Sequence, residues 1–236
     1  MQFSSPLVQG HLIKRYKRFL ADVLLNDGTV VTAHCPNSGA MLGLKAEGTT
    51  VYLSRSDNPN RKLPYTWEMA FVDGGLVGVN TQHPNSLVHE AFLAQAIPEL
   101  SGYSHSQREV KYGVNSRIDL LLSGEGQQLC YVEVKNAHLM ETAGMAQFPD
   151  AVTARGAKHM QELKDMVAQG HRAVIFYVIQ RMDCDSFSLA SHIDPTYAKA
   201  TYDALDAGVE VLCYACKLSL EGIFLDRRID FERIPL

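Results

Sequence analysis

The sequence predicts an α+β protein in two parts, a small β-barrel over residues 1–80 followed by a mixed-sheet α/β domain over residues 81–236. Two observations carry this division. Up to residue 80, short strand-like runs are cut by turn signals at Asn26-Asp27-Gly28, Glu47-Gly48, Asp57-Asn58-Pro59-Asn60 and Asp73-Gly74-Gly75, and helix signals are scarce. After it the pattern changes to helices alternating with apolar strands. Charge shifts as well: residues 1–80 carry eight Lys or Arg against six Asp or Glu, the remainder fourteen against twenty.

Several short strands separated by Gly and Asx turns fit a five-stranded barrel of the oligonucleotide-binding (OB) kind. In the second part, Pro84-Asn85-Ser86 starts an amphipathic helix reaching about Leu100, and Gln107 to Tyr112 alternates as a strand does. A hairpin follows, with arms Arg117–Leu122 and Leu129–Lys135. Then come a helix from about Pro149 to Ala168, an apolar strand from Arg172 to Gln180, a helix from about Pro195 to Ala207 ended by Gly208, and a strand from Val209. Strands that first pair as hairpins and then alternate with helices give a mixed sheet with helices on both faces.

The chain has 236 residues, 46% hydrophobic and 20% charged, an ordinary globular balance. The longest purely apolar run, Ala173 to Ile179, is too short to span a bilayer, and no leader pattern opens the chain, so no membrane association and a cytoplasmic location are expected. Five scattered cysteines argue against a disulfide framework; Cys213 and Cys216 have C-x-x-C spacing inside a strand and read as core thiols. A net charge of −4 excludes a protein that coats nucleic acid over its whole surface, and confines any such binding to a groove or patch.

Asp119, Glu133 and Lys135 carry the chemistry. Side chains alternate along a strand, so Glu133 and Lys135 share a face while Val132 and Val134 point away. A hairpin symmetric about Gly126 places Asp119 opposite Glu133. Two carboxylates about 4 Å apart repel by about 4 kcal/mol at an intermediate dielectric. A hard divalent cation, Mg2+ or Mn2+, offsets that repulsion with oxygen ligands, waters and a substrate phosphate. Lys135 then stabilises charge on the phosphate or acidifies the attacking water. The same spacing also fits a cross-strand ion pair on a solvated sheet face. Glu90, on the preceding helix, is a third acidic ligand or a rim residue.

The run Lys14-Arg15-Tyr16-Lys17-Arg18-Phe19 mixes cations with aromatics, as does Arg61-Lys62-Leu63-Pro64-Tyr65-Thr66-Trp67. Cations follow a phosphate backbone while aromatic faces stack on unpaired bases, which suits single-stranded or distorted nucleic acid. A strand with one core face and one charged face gives the same pattern, and Trp67 and Phe19 also fit a core. On the next helix Arg155 and Lys158 are neighbours, with His159 one turn beyond Arg155. They could hold flanking phosphates, and Lys158 could equally pair with Glu162. Cys35-Pro36-Asn37-Ser38-Gly39 reads as a tight turn.

With Leu12–Val23, His34–Met41, Tyr65–Glu68, Gly78–Thr81, Arg108–Gly113, Asn115–Asp119, Tyr131–Asn136 and Phe148–Ala151, the chain resembles the sugar fermentation stimulation protein A family almost end to end. The resemblance implies an OB barrel followed by a PD-(D/E)xK, restriction-endonuclease-like domain. It also implies DNA binding without sequence preference and a part in regulating sugar, notably maltose, metabolism. It makes Asp119 and Glu133 metal ligands and Lys135 the catalytic lysine; Ile118 stands where such nucleases often have proline. Three readings follow: a DNA-binding protein that also hydrolyses phosphodiesters, a DNA-binding regulator that does not cut, and a phosphoesterase of small metabolites. A homo-oligomer fits each of them.

Overall fold

The computed structural model describes residues 1–236. The first five strands are β1 (Val8–Tyr16), β2 (Leu20–Leu25), β3 (Val30–His34), β4 (Thr50–Arg55) and β5 (Tyr65–Val72), and β6 (Gly75–Gly78) forms a hairpin with β5. They pair in the order β3-β2-β1-β4-β5, and a parallel pairing of Ala33 with Tyr65 and His34 with Thr66 joins β3 to β5. That last pairing closes the five-stranded barrel and removes its open edges. Alternation along β2 turns Ala21, Val23 and Leu25 inward, where they pack with Leu12, Val51, Leu53 and Trp67. Gly10 sits where β1 crosses this core; a Cβ there would stand 2.6 Å from Val23 Cγ1. Trp67 is 0% exposed and its indole N–H donates to the Met69 carbonyl at 2.9 Å. It is a core residue with no face free for a base, which corrects its reading as a stacking residue.

The second domain contains α1 (Pro84–Leu93), β7 (His105–Tyr112), β8 (Ser116–Ser123), β9 (Cys130–Ala137), β10 (Leu139–Thr142), β11 (Met145–Phe148), α2 (Ala154–Ala168), β12 (Arg172–Ile179), β13 (Ser186–Leu189), α3 (Pro195–Asp206), β14 (Glu210–Leu218), β15 (Ile223–Arg228) and β16 (Asp230–Glu232). The main sheet runs β15-β14-β12-β9-β8-β7, with β9, β12 and β14 parallel and the outer strands antiparallel. Helix α1, with Met69 and Leu76 of the barrel, covers one face through Leu120, Val132, Val134 and Phe176. Helices α2 and α3 cover the other through Ile118, Ile175 and Tyr177. Every residue of β12 after Arg172 is buried, as expected of a central parallel strand. No helix is long and apolar enough to cross a membrane.

The structure departs from the sequence expectations in several places, among them the edge strand β15, which follows the strand expected from Val209. Helix α1 stops at Leu93 rather than near Leu100, because Gln95 turns left-handed at φ 54° and Pro98 disfavours helix in the residue before it. Helix α2 begins at Ala154 rather than near Pro149; Thr153 caps it by accepting from Gly156 N at 3.1 Å, and Phe148 belongs to β11. A second small sheet, β10-β11-β13-β16, was not expected, since its strands are three or four residues long and too short to show periodicity.

Buried charged groups join the two domains. Glu68, 5% exposed, accepts Val79 N–H at its backbone carbonyl (2.8 Å), while its carboxylate takes the Ser54 hydroxyl (2.6 Å), the Asn80 amide (2.8 Å) and His83 Nε2 (2.7 Å). Arg181, 2% exposed, bridges Asp183 and Asp73, the latter in the β5–β6 turn, at 2.8 and 2.9 Å. Burial pushes the Glu68 pKa up, but the His83, Ser54 and Asn80 contacts outweigh it and hold the carboxyl below its ordinary 4.5. A carboxyl with a depressed folded pKa contributes stability that is complete above the unfolded value and lost as pH falls through the folded one. Thermal denaturation of the wild type is therefore expected to lose stability as pH falls below 4.5. Glu68→Gln is expected to flatten that dependence and to cost about 3 kcal/mol at neutral pH.

Candidate metal centre

The β8–β9 hairpin pairs Leu122 with Cys130, Leu121 with Tyr131 and Leu120 with Val132, a register symmetric about Gly126. One more step would set Asp119 against Glu133. The ladder instead opens there, and the Asp119 carboxylate enters the gap. Its Oδ2 accepts the Val134 N–H at 2.7 Å, and its Oδ1 accepts from the amide of Asn85, in the first turn of α1, at 2.7 Å. On the outer side, β7 pairs Arg108 with Leu120 and Val110 with Ile118, so Glu109 between them lies across from Asp119, with a left-handed φ of 54°.

Glu133 and Lys135 lie on the face of β9 that α2 covers. Lys135 Nζ is 2.5 Å from Glu133 Oε1, and His159 Nδ1 meets the same oxygen from the first half of α2. Arg155 Nε donates to His159 Nε2 at 3.2 Å. That nitrogen is thus the acceptor, and the proton of a neutral ring sits on Nδ1, facing Glu133. The other Glu133 oxygen, Oε2, is buried without a hydrogen-bond partner, as are the Tyr112 hydroxyl and Glu162 Oε2.

Electrostatics separates the two acids. Burial raises the Glu133 pKa, but Lys135 and His159 overcome it and hold the group below the usual carboxylate range. Asp119 goes the other way: burial, then the charge of Glu133, push it up to about 6 against the Val134 N–H, Lys135 and Asn85. Burial also raises the Tyr112 hydroxyl, reinforced by the charges of Glu133, Glu162 and Asp119. A strained carboxylate beside an unmatched carboxylate oxygen fits a hard cation with oxygen ligands. No three His, Cys, Asp or Glu side chains form a ready cluster, so such a cation would be completed by water and substrate, as Mg2+ prefers.

The structure brings Asp119, Glu133 and Lys135 together and sets Glu90 apart. Glu90 is about half exposed and pairs with the Met1 amine at 2.7 Å, which corrects its reading as a third ligand; it points along α1 toward the chain start. Lys158 donates to the Val114 carbonyl at 2.5 Å and lies 3.5 Å from Glu162, fixing the β7–β8 turn to α2. Arg155 is exposed and oriented by His159. Sequence reasoning left Tyr112, Asn85 and Glu109 out of the site, and grouped His159 with Arg155 and Lys158 at the flanking phosphates rather than with Glu133.

Lys17 and Arg18 form the β1–β2 turn, both with positive φ, and Arg61 and Lys62 lie in the β4–β5 loop. Cys35 N–H bonds the Phe19 carbonyl, and β3 runs directly on to pair with β5, so both loops border one mouth of the barrel. Arg15 is turned inward to the Arg18 and Asn37 carbonyls (3.0 and 2.8 Å), Tyr16 donates to Asp22 (3.1 Å), and Lys14 lies 3.7 Å from Asp22. Three further cations that the sequence reading passed over, Arg108, Lys111 and Arg117, are exposed on the β7–β8 hairpin.

Residues 13–79 match the family model described as the SfsA N-terminal OB domain, and residues 82–222 match the sugar fermentation stimulation protein RE domain. Among curated relatives, the sugar fermentation stimulation protein homolog of Rhodospirillum centenum is 58% identical over 97% of this chain and 98% of the relative. That of Maricaulis maris is 53% identical over 98% and 99%. Among solved structures, Pyrococcus furiosus SfsA in complex with Ca2+ superposes with a TM-score of 0.89 at 26% identity, covering 98% of each chain. With an OB barrel followed by a restriction-endonuclease-like domain, the chain belongs to the sugar fermentation stimulation protein (SfsA) family.

Proposed function

We propose that this protein binds DNA without sequence preference and that Asp119, Glu133 and Lys135 form a site for metal-dependent phosphodiester hydrolysis. The observation that carries the reading is the buried, unpartnered Glu133 Oε2 next to an Asp119 whose pKa is raised to about 6. Asp119 and Glu133 would hold Mg2+ or Mn2+, and the Ca2+ in the Pyrococcus furiosus relative supports a hard divalent ion. When bound, such an ion lowers the pKa of a water and polarises a phosphoryl oxygen. Lys135 places a fixed ammonium beside the carboxylates, where it offsets charge gathering on phosphate oxygens. His159, itself oriented by Arg155, fixes the Glu133 carboxylate and is a positioning residue. Exposed cations of the β7–β8 hairpin and the barrel mouth supply phosphate contacts. Through such contacts the protein would act on genes of sugar, notably maltose, metabolism.

Linear, supercoiled and single-stranded DNA incubated with the purified protein, with and without Mg2+ or Mn2+, separates the readings. Asp119→Asn and Lys135→Ala are each expected to lower cleavage by at least about a hundredfold while DNA retention on a gel is kept. Cutting that persists in both variants would rule out this site. Retention without cutting by the wild type points to a regulator that only binds, and no retention at low salt to a small-metabolite phosphoesterase.

Asp119 also makes the metal-free protein pH-sensitive. Its folded pKa, about 6, lies above its ordinary 3.8, so the ionised form is disfavoured by folding. Stability is lost as pH rises between those values and stays lost above them. At neutral pH, Asp119→Asn is expected to stabilise the metal-free protein by about 1 to 3 kcal/mol. Millimolar Mg2+ is expected to raise the melting temperature of the wild type but not of Asp119→Asn. A variant that melts no later than the wild type in EDTA would contradict the strain assigned to Asp119.

A further inference from the structure

Two grooves adjoin the metal centre through its neighbours, His159 in one and Asn136 in the other, and their chemistry differs. On the β7–β8 side, a groove of about 360 Å3 is lined by Arg117, Arg155, Lys158 and His159 with Glu109 among them. Lys111 extends the same basic surface. Lys111, Arg117 and Arg155 are exposed and pair with no carboxylate. An open row of unmatched cations suits a phosphate backbone irrespective of base sequence.

The second groove, of about 330 Å3, lies between the domains. Asn37, Ser38 and Gly39 of the barrel form one wall, and Asn136, His138 and the Phe148–Thr153 segment form the other. Its cation is Arg18, and its carboxylate, Asp150, is held by the Met41 N–H at 2.7 Å and lies 3.3 Å from His138 Nε2. Amides, hydroxyls and ring atoms make up the rest, a lining suited to a base and sugar rather than to rows of phosphates.

This groove adjoins the metal centre at the end of β9, where Asn136 turns to the face opposite Lys135. Asn136 directly follows Lys135 on β9, and Thr153 caps α2, the helix that brings His159 to Glu133. Its walls are fixed: the Asn37 amide donates to the Val79 carbonyl at 3.0 Å, and a Cβ on Gly39 would stand 2.4 Å from the Asp150 carboxylate. A space of this size lies at the low end of the range for small-ligand sites, about 300 to 1,000 Å3, so lining rather than volume sets it apart from the basic groove. Beyond it, Arg18 leads to the barrel mouth with Lys17, Arg61, Lys62 and a half-exposed Phe19.

We infer that the DNA is engaged where a duplex gives way to a single strand: duplex phosphates rest on the β7–β8 side, and one unpaired strand runs past Glu133 through the interdomain groove to the barrel mouth. The inference rests on DNA being the substrate and adds which form of it is recognised.

Fluorescence anisotropy with three labelled probes tests it, in EDTA and then in CaCl2. The probes are a single strand of about 16 nucleotides, the upper site size of one OB barrel, a blunt duplex, and the same duplex bearing that strand as an overhang. The overhang probe is expected to bind about tenfold more tightly than the blunt duplex. Arg18→Glu and Val152→Glu put carboxylates on opposite lips of the groove, at exposed side chains that make no hydrogen bond. Each is expected to erase that difference; Val152→Glu, which removes no cation, leaves blunt-duplex affinity within about twofold, whereas Lys111→Glu with Arg117→Glu weakens the blunt duplex. Equal affinity for the two duplexes, or an overhang preference untouched by both groove variants, overturns the inference and leaves the phosphodiesterase reading standing. A wild type that retains none of the probes overturns both.

Discussion

A carboxylate in a nearly closed interior has to be matched oxygen by oxygen, and Glu133 is matched at only one. Lys135 and His159 both address Oε1, while Oε2 is buried alone. The imbalance is built into the sheet. Strand β9 pairs with β12 along its whole length, Cys130 to Ala137, but with β8 only from Cys130 to Val132. Its other edge is therefore open from Glu133 onward, and Asp119 takes the Val134 N–H that a strand carbonyl would otherwise accept. The residual charge asks for a cation rather than for another side chain.

The junction between the domains gives this opening its surroundings. Glu68 fixes the linker from Val79 to His83, Arg181 fixes the β5–β6 turn, and Asp150 reaches from the segment before α2 to the backbone of Met41. Glu68 and Arg181 are buried and Asp150 partly so, each with several partners, an arrangement that tolerates little displacement because breaking one contact leaves an unpaired charge in a low dielectric. The barrel mouth is thereby held beside the end of β9. The two domains present one shared surface.

Charge distribution follows the same division. The net charge of −4 is unevenly matched: Lys111, Arg117 and Arg155 on the β7–β8 hairpin and the first turn of α2 pair with no carboxylate, whereas Arg172 and Arg233 are matched by Glu210 and Asp206. On an acidic protein, a local group of unmatched cations favours polyanions there over the rest of the surface.

The sequence by itself determined what local periodicity and turn chemistry encode: the barrel, the mixed sheet, the hairpin register about Gly126, and the shared face of Glu133 and Lys135. A period of two and a turn fixed by glycine need no information from elsewhere in the chain. Only the tertiary structure decided matters set by distant partners. Trp67 reads as an interface aromatic until the barrel closes over it, and Glu90 as a ligand until α1 turns it to the Met1 amine. His159 becomes part of the site because α2 packs across β9, and α1 ends early because Pro98 and a left-handed Gln95 stop it. Which strand edge stays open, and hence where an unmatched charge can persist, is a property of how β8, β9 and β12 assemble, and no stretch of sequence contains it.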